Sequence, residues 1–200
     1  MTATLPAPVT PAAALDELLA GNKRFVSGTP LAGHDVAQAV ALAGGQQPHS
    51  IVLGCIDSRV PLEAVFDQAF GSILVARSGA HVLDRSVAGS VEFSVGALGA
   101  SLVLVLGHTN CGAVQATLDA ERSGDRPAGD VGYLVSEIAA ATEGIDLAAP
   151  DAAGLVLRAH VRRTVERLRT ADSLAPAIAE GRVDVVGGVY DLATGTVIIL

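Results

Sequence analysis

Apolar positions along this chain follow two alternating rhythms: short unbroken runs, and stripes spaced three and four residues apart. The runs Ile51–Gly54, Ile73–Ala76, Leu102–Leu106, Val183–Val186 and Val197–Leu200 have strand length and are rich in Val, Ile and Leu. Unbroken apolar strands are typical of sheets buried on both faces. Helical stripes lie between them. Residues 11–27 carry Leu15, Leu18, Leu19 and Phe25 at helical spacing, and residues 151–170 carry Leu157, Val161, Val165 and Leu168. Further helices are predicted over 35–43, stopped by Gly44-Gly45, and over 61–66, 84–98, 112–122 and 131–142. "SGDRPAGD" reads as a loop, and Ala193-Thr194-Gly195 suits a tight turn.

Strands alternating with helices predict an α/β fold in three layers, a central, mostly parallel sheet of about five strands with helices on both faces. Residues 15–200 read as a single domain. Residues 1–14, "MTATLPAPVTPAAA" with three prolines, read as a flexible N-terminal arm. In such sheets ligands bind beyond the carboxyl ends of the strands, where neighbouring connections diverge to opposite faces.

Composition sharpens this picture in three places. The formal net charge is −8 and the basic residues are scattered, apart from an Arg158-to-Arg169 stretch that reads as the wet face of one helix. A nucleic-acid partner needs a basic footprint, so that class is set aside. From Phe93 to Leu118 no Asp, Glu, Lys or Arg occurs, yet glycines at 96, 99, 107 and 112 break the window into strand, loop and helix. Neither a membrane span nor a secretion signal is read, and a cytoplasmic protein is expected. The chain is 50% hydrophobic but only 3% aromatic, which predicts a surface buried against a second copy.

The chemistry concentrates at two strand ends. "GCIDSRVP" follows the run Ile51-Val52-Leu53 and sets Cys55, Asp57 and Arg59 at alternating positions, one face of an extended chain. "GHTNCGA" follows the third strand and sets His108 and Cys111 three apart, able to face one point. Thr109 or Asn110 is a candidate cap for the next helix. Two thiolates and an imidazole suit tetrahedral zinc, with a carboxylate as fourth ligand. Iron–sulfur chemistry wants more cysteines, and hard cations want oxygen shells. A structural zinc is the plainer alternative. Against it stands Arg59, a cation that competes with the metal for Asp57, which suits a site that must open.

"CIDSR" with "HTNC" about fifty residues on, "GNKRF" and "QQP" before them and "GGVYDLATG" after, resembles the β-class carbonic anhydrases. The resemblance runs from about Leu15 to the C-terminus. It implies zinc, one ion per chain, held by Cys55, His108 and Cys111, with Asp57 and Arg59 as the catalytic dyad and Asp57 able to ligate the metal and close the site at low pH. It also implies reversible hydration of CO₂ to bicarbonate and a proton, by a zinc-held hydroxide that the dyad orients. Two thiolates offset the ion's charge, so activity is expected to rise toward alkaline pH. The family assembles as dimers or higher multiples with the cleft at the dimer interface, which implies a homodimer or dimer of dimers here.

The resemblance also implies a substrate contact at Gln46, nine residues before Cys55, where some family members use a glutamine to hydrogen-bond bicarbonate, and the Gly112 amide is a second candidate donor. His81 and His34 are conceivable proton shuttles. Plant-type members carry an aromatic residue near Leu74 and a tyrosine near Phe93, and both are replaced here. Val52 replaces the tryptophan of members regulated by non-catalytic bicarbonate, so Arg77 and Tyr190, which match the rest of that site, read as structural. Two other functions fit the same motifs: hydrolysis of carbonyl sulfide or carbon disulfide, and a non-enzymatic bicarbonate-sensing module with zinc locked by Asp57.

Overall fold

A computed structural model describes residues 10–200. In order, the elements are α1 (Pro11–Ser27), α2 (Val36–Ala41), β1 (Ser50–Cys55), α3 (Leu62–Val65), β2 (Ile73–Ser78), a 3₁₀ turn (Gly79–His81), α4 (Arg85–Gly96), β3 (Leu102–His108), α5 (Gly112–Ser123), α6 (Gly129–Ala139), α7 (Ala152–Arg169), α8 (Ala175–Ala179), β4 (Asp184–Tyr190) and β5 (Val197–Ile199). The sheet runs β2-β1-β3-β4-β5. All neighbours are parallel except β4 and β5.

Unbroken apolar runs become fully buried strands. Every residue of β1 and β3 is buried. On one face Ile51, Leu53, Val103, Val105 and Val185 pack under α4, α7 and α8. On the other, Val52, Leu102, Leu104 and Leu106 pack under α1 and α3. This is the three-layer sheet that the alternation predicts.

Helix α1 starts at Pro11 because Thr10 accepts a hydrogen bond from the Ala13 amide and proline fits the first helical turn. Residues 11–14, expected in the arm, are instead helical, with Ala14 in the buried core; the rest of that expected arm, residues 1–9, lies outside the described residues. Asn22 of "GNKRF" pins α1 inward, donating to the Val65 and Gly195 carbonyls and accepting from the Val197 amide.

Four strands outrun their predicted ends: β1 continues to Cys55, β2 to Ser78, β3 to His108 and β4 to Tyr190, the last two residues paired in register. The 3₁₀ turn and α8 are additions. Among the described residues no helix is long and apolar enough to cross a membrane. The uncharged window from Phe93 resolves into the end of α4, β3 and the start of α5.

Candidate metal centre

The strand order places β1 between β2 and β3, so connections leave β1 and β3 in opposite directions at their carboxyl ends. Cys55 is the last residue of β1, His108 the last of β3, and Cys111 the residue that opens α5. One donor atom from each lies within 4.8 Å of the others, and all three residues are buried.

Each donor is aimed by its surroundings. The His108 Nδ1 lies 2.9 Å from the Thr109 carbonyl, which can only accept, so Nδ1 carries the proton and Nε2 is the bare nitrogen. Nε2 is buried without a hydrogen-bond partner. The Ala80 amide donates to Cys55 Sγ at 3.3 Å. The hydrogen bond with Cys111 holds the Cys55 thiol well below its usual range, against the opposing effect of burial. Cys111 is pushed up, first by its hydrogen bond with Cys55 and then by burial. A dication among them would satisfy both sulfurs and the unpartnered His108 nitrogen together. The donor set fits zinc.

Asp57 and Arg59 meet as expected, but not through strand alternation. β1 ends at Cys55, and a turn closes from the Val60 amide to the Asp57 carbonyl at 3.0 Å. The Asp57 carboxylate accepts the Arg59 amide at 2.9 Å, Nε at 3.0 Å and Nη2 at 2.7 Å. Its Oδ2 is 3.9 Å from His108 Nε2, so the carboxylate borders the donor cluster while engaged on Arg59. That bidentate pairing, outweighing partial burial, holds Asp57 well below the usual carboxylate range. Arg77 braces the same loop, Nε to the Cys55 carbonyl at 2.8 Å and Nη2 to the Asp57 carbonyl at 2.6 Å. It reads as structural in sequence; here its structural duty is to hold the site loop.

Other expected residues fall elsewhere. Neither Thr109 nor Asn110 caps α5, since Cys111 occupies that position without a side-chain hydrogen bond. Thr109 instead ties to Asp191 and accepts the Leu192 amide, while Asn110 turns the chain at φ 56. Gly112 is the exposed first residue of α5, its amide among the first-turn donors. Gln46 is exposed beside Gly71, ahead of β2, whereas Cys55 pairs with Ser78 at the other end of that strand. Roughly 16 Å of strand separates the two ends. Within one chain Gln46 does not join the cluster. His34 Nε2 donates to the Gln68 carbonyl at 3.0 Å, beside Phe70, away from the metal donors. His81 is completely buried, so it has no path to pass protons to solvent.

A family model described as carbonic anhydrase matches residues 50–197. A carbonic anhydrase of Mycolicibacterium smegmatis is 39% identical over 192 residues, 94% of this chain and 92% of that protein. Carbonic anhydrase 2 of Mycobacterium tuberculosis is 38% identical over 194 residues, again 94% and 92%. Among solved structures, the Coccomyxa β-carbonic anhydrase in complex with acetazolamide superposes with a TM-score of 0.71 at 26% identity, covering 93% of this chain and 81% of that one. A tetrameric β-carbonic anhydrase of Sordaria macrospora shares the fold at a TM-score of 0.74 and 22% identity, with 94% of each chain covered. The chain belongs to the β-class carbonic anhydrases, a family of lyases.

Proposed function

We propose that this protein is a zinc-dependent carbonic anhydrase that converts CO₂ and water to bicarbonate and a proton, reversibly. The observation that carries the reading is the convergence of Cys55, His108 and Cys111 donors beside the Asp57–Arg59 pair. Zinc held by those three residues supplies Lewis acidity that makes water a usable nucleophile near neutral pH, less strongly than with three histidines because the thiolates offset its charge.

The chain's own residues do the rest. Arg59 keeps Asp57 ionised and therefore a pure acceptor. Fixed at two oxygens, Asp57 takes a hydrogen bond from the nucleophile and so sets which lone pair faces the CO₂ carbon. The same carboxylate borders the donor cluster and could leave Arg59 to serve as a further ligand for zinc, which would close the site. That exchange is favoured at low pH, where hydroxide is scarce. The Gly112 amide, at the start of α5, would donate a hydrogen bond to a bicarbonate oxygen.

Gln46 reaches a metal site only from a second copy. Helix α2 buries none of its residues, Val36, Val40 and Phe70 are exposed, and Gln46 lies in the same surface depression as Leu42 and Phe70. A homodimer covering this face, alone or paired into a dimer of dimers, would bring Gln46 to the partner's cleft. Two unpaired cysteines kept ready for a metal fit a reducing compartment such as the cytoplasm.

Stopped-flow CO₂ hydration against pH, with zinc measured on the same sample, tests the reading. Activity should rise toward alkaline pH and vanish on zinc removal. Turnover of carbonyl sulfide or carbon disulfide without CO₂ hydration would overturn it, as would zinc-loaded protein inert toward all three.

A further inference from the structure

Cys55 is supported from behind by a backbone segment that works against its own preferences. Ala80 sits at φ 48 and ψ 40, and His81 at φ 49, two consecutive side-chain-bearing residues in the left-handed region. That region is disfavoured for any residue with a Cβ, and such conformations persist only where surrounding contacts over-determine them. Here the conformation turns the Ala80 N–H onto Cys55 Sγ.

The contact that holds Ala80 comes from a residue far away in sequence. His160 of α7, 2% exposed, lies with Nε2 at 3.1 Å from the Ala80 carbonyl. A carbonyl only accepts, so Nε2 is the protonated nitrogen, and Nδ1 is buried without a partner. The His160 ring packs on His81 with centroids 4.6 Å apart and planes at 33°. His81 in turn lies beneath β3, where a Cβ added at Gly107 would stand 3.3 Å from its Cε1. Burial drives His160 down to about 4 and His81 well below its usual value, so both rings are neutral near pH 7.

We propose that His160 is a positioning residue for the metal ligand Cys55: by holding the Ala80 carbonyl it fixes the left-handed turn that delivers the Ala80 amide to the ligand sulfur. The His81 ring is the floor on which His160 rests. The inference rests on the metal-centre reading above and extends it to a second layer contributed by α7. Partners of this kind set ligand orientation and donor strength, and their loss typically costs about 10- to 100-fold in metal affinity.

The test is zinc affinity, measured by competition with a chromophoric chelator at pH 7, together with imidazole ¹⁵N NMR of the zinc-loaded wild type. H160F keeps a flat ring without a donor and should weaken zinc binding about 10- to 100-fold. H160Q, whose amide can reach the same carbonyl, should recover most of the loss. In the wild-type spectrum His160 should be neutral with its proton on Nε2. Wild-type affinity in H160F, or H160Q as weak as H160F, overturns the proposal. If H160F does not fold, the tautomer decides: a proton on Nδ1 or a doubly protonated ring overturns it. Both readouts ignore turnover, so a zinc-binding protein that fails to hydrate CO₂ would sink the proposed function and leave this inference standing.

Discussion

Arg59 grips Asp57 with two parallel hydrogen bonds, Nε to Oδ1 at 3.0 Å and Nη2 to Oδ2 at 2.7 Å, while the Arg59 amide closes a third onto Oδ1. The guanidinium is itself exposed, and beyond the carboxylate its Nη2 donates to the Asn110 carbonyl at 3.4 Å. Its main hold is on the carboxylate. Arg59→Ala should keep zinc near one ion per chain and lower kcat/KM for CO₂ hydration by about 100-fold. Metal analysis beside stopped-flow rates checks this, and wild-type turnover in the variant would refute the dyad.

The buried histidine pair gives stability a defined pH dependence. Burial lowers His160 from 6.5 to about 4, so the native state refuses a proton that the unfolded chain accepts. Stability from this residue is complete above 6.5 and falls as pH drops toward about 4, by about 3 kcal/mol in all. His81 acts in the same direction. Denaturant unfolding at a series of pH values should show this loss in wild type and a shallower one in H160Q. Equal slopes in the two proteins would remove the assignment.

At Gly107, β3 passes close under α7. A Cβ there would meet Leu157 at 2.7 Å and Val161 at 2.9 Å, with His81 at 3.3 Å behind them. Gly107→Ala should destabilise the protein by about 1–3 kcal/mol through overpacking. Because the strain falls one residue before His108, zinc affinity should fall with it. Thermal unfolding and chelator competition would report both effects.

Gln46 offers a test of assembly. If it serves the partner's cleft, a mixed dimer of Q46A and R59A chains contains one site with neither defect. Refolding the two inactive variants together should then restore a share of the activity. A mixture as inactive as its components would place Gln46 outside any shared site.

Much of this arrangement is legible in the sequence, for a physical reason. Donors such as Cys55 and His108 stand out because they interrupt apolar runs at strand ends, where packing asks for nothing polar. The five strands are legible because burial on both faces leaves unbroken Val, Leu and Ile runs. The pairing of Asp57 with Arg59 is anticipated for the wrong reason: a turn, not strand alternation, brings them together. What stays hidden is whatever tertiary contacts impose. Ala80 and His81 have no local preference for left-handed backbone, so nothing in "SGAH" announces the turn behind Cys55. The charged Arg158-to-Arg169 stretch draws the eye to a wet helix face and away from His160. Yet His160 is three residues beyond Leu157 and eight before Leu168, inside the buried stripe. A polar ring on an apolar stripe was the available signal. Gln46 is read as a substrate contact from the family resemblance alone, and the sequence does not show that β1 carries it and Cys55 to opposite ends of the sheet.

The central claim is a single ion shared by two sulfurs and one imidazole nitrogen. Zinc K-edge absorption fine structure on the purified, zinc-loaded protein measures that shell directly. Two sulfur neighbours at about 2.3 Å and two nitrogen or oxygen neighbours at about 2.0–2.1 Å are expected. A shell with one sulfur or none would contradict the account.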